Sequence, residues 1–95
     1  MGGHDEVICY IILTHYGTYY CGITNSLIRR WKEHSTKQSK YLSIYSPKEV
    51  VFIEVYSNYT DAARRERQIK RGGVGRFFKN WKIQSGYYGT TINQR

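Results

Sequence analysis

The chain has 95 residues, 40% of them hydrophobic and 23% charged, with a formal charge of +8 and a pI near 9.7. This composition suits one globular domain and excludes a second module or a disordered tail-like chain. No stretch approaches the roughly 18 apolar residues of a membrane span, nothing resembles a signal peptide, and the basic excess points to a polyanionic partner, nucleic acid first.

In chain order, residues 1–5 read as a disordered start. VICYIILT (7–14) is rich in β-branched residues and ends at His15-Tyr16-Gly17, a turn signal; YYCGI (19–23) follows as the return strand. A two-residue loop between them would pair Leu13 with Tyr20 and set Tyr10 and Tyr20 on opposite faces. A three-residue loop with Gly17 in the left-handed conformation pairs Ile12 with Tyr20 and Tyr10 with Gly22. The three-residue loop is favoured, and it puts both tyrosines on one open face with space beside Tyr10 at Gly22. Cys9 and Cys21 have no CxxC spacing, so they read as buried reduced thiols.

Thr24 and Asn25 offer caps for a helix over about 26–36, with Leu27, Ile28 and Trp31 as its apolar stripe. His34 falls close to that stripe, Arg30 at its edge, and Arg29 away from it. Residues 35–48 form a polar, basic loop carrying Lys37, Lys40 and Tyr41. VVFIEVY (50–56) is the third strand. Thr60-Asp61 opens a second helix that Gly72-Gly73 terminates, and residues 75–83 form a third, with Phe77, Phe78 and Trp81 facing inward. The order β-β-α-β-α-α predicts an α+β domain built on a small three-stranded antiparallel sheet flanked by helices, spanning 6–83 with a tail over 84–95.

The second helix holds one carboxylate in an unusual place. Its small and apolar positions are Ala62, Ala63 and Ile69, and Glu66 lies on the same inward stripe, while Arg64, Arg65, Arg67 and Lys70 take the flanks and outer side. Glu66 has two readings. It can pair with Lys70 at i+4, as many surface helices do, or it can ligate Mg²⁺, a hard ion that takes one or two protein carboxylates beside waters and phosphate oxygens.

Cys9-Tyr10-Ile11 and Tyr20-Cys21-Gly22 resemble the two signature triplets of the GIY-YIG nuclease superfamily. Arg30 stands ten residues beyond Tyr20 and His34 four beyond that, and Glu66 stands where the family's metal-binding glutamate belongs. TDAARRERQIK and the KY…P segment at 40–47 further resemble small standalone members, and the likeness covers roughly residues 6–80. Cys9 replaces the first triplet's glycine and Cys21 the second triplet's isoleucine, neither of which carries chemistry in the family. Asn80 falls about where some members place a phosphate-contacting asparagine, with a capping or surface role as its alternative.

The resemblance implies a Mg²⁺- or Mn²⁺-dependent endonuclease that hydrolyses DNA one strand per active site. Glu66 would hold the metal, Tyr10 take a proton from the attacking water, Tyr20 orient water or phosphate, Arg30 grip phosphate, and His34 assist. Residues 64–82 carry eight lysines and arginines against Glu66 alone. Arg64, Arg67, Lys70, Arg71, Arg76 and Lys79, with Arg29, Lys32, Lys37, Lys40, Tyr41 and Asn80, are the expected DNA contacts. The expected partner is DNA, double-stranded, single-stranded or branched, met in the cytoplasm by a monomer or weak dimer. The competing readings are a catalytically silent nucleic-acid-binding module of the same fold and a small basic RNA-binding protein.

Overall fold

The computed structural model describes residues 6–35 and 47–85. The start at 1–5, residues 36–46 of the polar loop with Lys37, Lys40 and Tyr41, and residues 86–95 of the tail lie outside the described residues. Six elements follow in order: β1 (Val7–Thr14), β2 (Tyr19–Thr24), α1 (Leu27–Ser35), β3 (Pro47–Tyr56), α2 (Tyr59–Arg71) and α3 (Val74–Ser85). The strands form one antiparallel sheet in the order β2-β1-β3, the α+β architecture expected from the sequence.

The hairpin closes as the three-residue loop requires. Gly17 has φ +84°, Thr14 N–H donates to Thr18 O at 2.9 Å, and the register pairs Ile12 with Tyr20 and Tyr10 with Gly22. The Thr14 and Thr18 hydroxyls, 2.7 Å apart, clasp the loop from its base.

VICYIILT is almost unbroken in its hydrophobicity because β1 is the central strand and both its faces are covered. On one face Cys9 and Ile11 pack with Cys21, Phe52, Ile69 and Phe78, under α2 and α3. On the other, Tyr10 and Ile12 pack with Ile8, Tyr20, Leu27, Trp31 and Val50, under α1. Each such buried large side chain contributes about 1.5–3 kcal/mol. Between Ile11 and Ile12 the pairing with β3 shifts by one residue, so Val51 is extra on its strand. That bulge lets neighbouring Val51 and Phe52 enter the same core.

Several element ends differ from expectation. Strand β3 begins at Pro47 rather than 50, since proline is tolerated at a first strand position and a second register shift lies beside it. Helix α1 is capped by Ser26, whose Oγ accepts from Arg29 N–H at 3.3 Å, while Thr24 Oγ1 accepts from Ser26 N–H at 3.1 Å. Ile28 leaves the expected stripe and is 74% exposed, so Leu27 and Trp31 are the apolar side chains that pack this helix on the sheet among the described residues. Helix α2 starts at Tyr59 with Asn58 as cap, its Oδ1 accepting from Asp61 N–H at 2.8 Å, and ends at the expected glycines, with Gly73 at φ +101°. Phe77 and Trp81 meet Phe52 edge-on at 5.4 and 5.1 Å, so both pack against the core as expected.

Candidate active site

The site begins with Gly22. Its partner across the hairpin is Tyr10, and a Cβ built on Gly22 would lie 2.6 Å from the Tyr10 hydroxyl and 2.9 Å from the ring carbon that bears it. No side chain larger than hydrogen fits there while Tyr10 holds this rotamer. The tyrosine ring therefore lies against Gly22, its centroid 6.4 Å from that of Tyr20.

The expected open face is closed, because α1 covers it and Tyr10 has no exposed surface. Burial pushes the Tyr10 phenol up to about 12, against a hydrogen bond from Arg30 that draws it down. Arg30 reaches this point because Leu27 and Trp31 seat α1 on the sheet and leave position 30 at the helix edge. Its Nη1 donates to Glu33 at 2.9 Å, and the bonds to Tyr10 and Glu33 raise its own pKa further. Arg30 Nε is buried and has no acceptor among the described residues, so the guanidinium retains donor capacity. Glu33, at i+3, is a positioning partner that only the helical spacing signals. His34 stands in the last turn of α1, and its side chain is outside the described atoms.

Tyr20 points to the same side of the sheet as Tyr10, yet it also lines a depression of about 520 Å³ with Tyr19, Cys21, Lys70, Gly73 and Val74. The lining comes from both faces of β2, so the depression wraps the exposed sheet edge. This is how the edge strand joins the Tyr10–Arg30 face to the α2 face. Lys70 interacts electrostatically with Tyr20 and forms an ion pair with Glu66 Oε2 at 3.1 Å.

Glu66 therefore adopts the i+4 pairing, with its side chain 22% exposed and its second carboxylate oxygen without a partner among the described residues. No group of three or more His, Cys, Asp and Glu side chains converges among the described residues. A lone, partly exposed carboxylate with a spare oxygen fits a hydrated hard cation completed by water and phosphate, and does not fit a zinc site or a two-metal centre.

The remaining expected contacts separate by partner. Arg29 donates to Asn25 at 3.0 Å and Arg64 pairs with Asp61 at 3.0 Å, both exposed. Lys32, Arg67 and Arg71 are exposed on their helices. Arg76, Lys79 and Asn80 gather around a second depression beside Gly17 and Tyr19. Arg65, placed on the outer side by the helical wheel, instead folds over the Phe77 ring at 5.0 Å and binds Glu54 at 2.8 and 3.2 Å. Its partner lies eleven residues away on β3, which periodicity cannot show. Cys9 and Cys21 are buried free thiols with sulfurs 4.0 Å apart; the shared hydrogen bond, then burial, push the Cys21 thiol up.

The family model of the GIY-YIG catalytic domain matches residues 6–73. The chain belongs to the GIY-YIG family. That family is one of nucleases, and its match stops at the turn between α2 and α3. Among similar proteins, a UPF0213 protein of Pseudomonas aeruginosa is 34% identical over 62 residues, covering 64% of this chain and 60% of its own length. A UPF0213 protein of Staphylococcus epidermidis is 33% identical over 67 residues, covering 70% and 82%. The UPF0213 protein YazA of Bacillus subtilis is 32% identical over 63 residues, covering 65% and 64%. The chain thus spans about 60% of the length of the Pseudomonas relative. No solved structure gives a significant match. The GIY-YIG triplets are the two strands whose register places Tyr10 over Gly22.

Proposed function

We propose that this GIY-YIG protein is a Mg²⁺-dependent endonuclease that hydrolyses DNA phosphodiester bonds in the cytoplasm, one strand per active site. The carrying observation is the Gly22–Tyr10–Arg30 assembly, in which a missing side chain makes room for a phenol that holds a partly satisfied guanidinium beside the Tyr20 depression. The scissile phosphate would lie at the β2 edge, between Arg30 and Lys70. Both cations interact with Tyr20 and so surround a phosphate bound next to it. Arg30, whose side chain is 32% exposed, would offer the exposed part of its guanidinium to a non-bridging oxygen.

Tyr10, sealed from water, acts here as the support of Arg30 rather than as the group that meets the attacking water. Tyr20, half-buried at the rim, orients that water, and His34 assists from the end of α1. Glu66 would hold Mg²⁺ through its spare oxygen, and the ion, when bound, offsets the charge that develops on the phosphate. Lys70 would then turn from Glu66 toward the phosphate.

Incubating the protein with supercoiled and single-stranded DNA, with Mg²⁺ or with EDTA, tests the proposal. Nicking that needs Mg²⁺ and falls at least 100-fold in Glu66→Ala is expected. Cutting that persists in EDTA, or that Glu66→Ala performs at full rate, would refute it. The Glu66–Lys70 ion pair gives some support to a silent binding module, and DNA binding without any cutting would establish that reading.

A further inference from the structure

We infer that a second phosphate subsite lies next along the same sheet edge, formed by Arg76 and Lys79 against the Gly17 turn, and that it holds a backbone phosphate neighbouring the one that is cut. The inference rests on the nuclease reading and names how the substrate strand lies on the protein. Three observations carry it.

The first is continuity. A depression of about 520 Å³ lined by Gly17, Tyr19, Gly75, Arg76, Lys79 and Asn80 shares Tyr19 with the depression that contains Tyr20 and Lys70. Tyr19 is the divider between them, and its ring is fixed by Phe78 at a centroid distance of 5.3 Å. A strand following this edge passes from Lys70, over Tyr19, to Arg76 and Lys79.

The second is charge. Arg30, Arg64, Arg65 and Lys70 each pair with a carboxylate. Arg76 and Lys79 have no such partner among the described residues, and α3 contains no acidic side chain. Gly75 and Arg76 also sit in the first turn of α3, whose opening N–H groups lack intrahelical acceptors and add positive potential on the same side. A depression with unneutralised side-chain cations and a helix start selects an anion, and its continuity with the first depression makes a nucleic-acid phosphate the fitting one.

The third is location. The GIY-YIG match covers residues 6–73, and Arg76 and Lys79 follow it on α3, beside the Gly17 turn.

The test is DNA affinity across a salt series, read by fluorescence anisotropy of a labelled duplex in EDTA. Each phosphate contact contributes about 0.9 to the slope of log affinity against log salt. The Arg76→Ala, Lys79→Ala double variant is expected to flatten that slope by about 2 and to lower affinity at least 10-fold at fixed salt. The charge-conserving Arg76→Lys, Lys79→Arg pair should keep the slope, which separates lost contacts from a disturbed fold. Lys48→Ala, an exposed cation on β3 at the opposite sheet edge, should leave it unchanged. An unchanged slope in the double alanine variant, or an equal loss per charge at Lys48, overturns the subsite while leaving the nuclease reading intact. Absence of cutting alongside the expected slope change overturns the nuclease reading and keeps the subsite as a nucleic-acid contact.

Discussion

Gly22 and Tyr10 face each other across the hairpin, and each constrains what the other can be. Replacing Gly22 by alanine puts a methyl group 2.6 Å from the phenol oxygen in a buried position, so the ring or the strand must move. A loss of about 1–3 kcal/mol in denaturant unfolding is expected, with partial recovery when Tyr10→Leu is added. Tyr10 also links stability to pH. Its phenol stays protonated in the folded chain up to about 12, whereas it ionises near 10 once unfolded. The contribution is fully present below about pH 10 and is lost as pH climbs to about 12, on the order of 2 kcal/mol in all. Alkaline unfolding of Tyr10→Phe should lack that part of the decline. The pairing of these two residues was legible in the sequence, because Gly17 and the loop length set the register. The burial of Tyr10 was not, since it depends on where a helix later in the chain comes to rest.

At the scale of elements, α2 is held to the sheet by more than Ala62 and Ile69. Arg65 grips Glu54 with two donors, Tyr56 donates to the same carboxylate at 2.8 Å, and the guanidinium lies over Phe77. Arg65→Ala is expected to cost about 1–2 kcal/mol, because it leaves a half-buried carboxylate short of donors. Arg64→Ala, which removes an exposed pair, should cost less than about 0.5 kcal/mol. Chemical denaturation of the two variants side by side checks the contrast. The two arginines are adjacent and chemically identical, so the sequence could not say which turned inward. It could show that Gly72-Gly73 ends the helix and that Glu66 lies near the inner stripe, because those follow from local geometry alone.

At the scale of the molecule, the sheet is covered on both faces and the depression proposed for the chemistry lies at the β2 edge. Residues from opposite faces, Tyr20 on one and Lys70 on the other, line that depression, with Arg30 the electrostatic neighbour of Tyr20 and Glu66 the ion-pair partner of Lys70. The family spacing pointed to Tyr20, Arg30 and Glu66, and charge alone to Lys70, but the edge position of β2 appears only in the strand order. The central claim is that Arg30, held by Tyr10 and Glu33, presents its guanidinium to the phosphate at this edge. Single-turnover cleavage by Arg30→Lys tests it most directly, because lysine keeps the charge and loses the fork that bonds to several partners at once. A fall of at least 100-fold in the cleavage rate, with DNA affinity held within about 10-fold, is the expected result. Cleavage by Arg30→Lys at the wild-type rate would contradict the account.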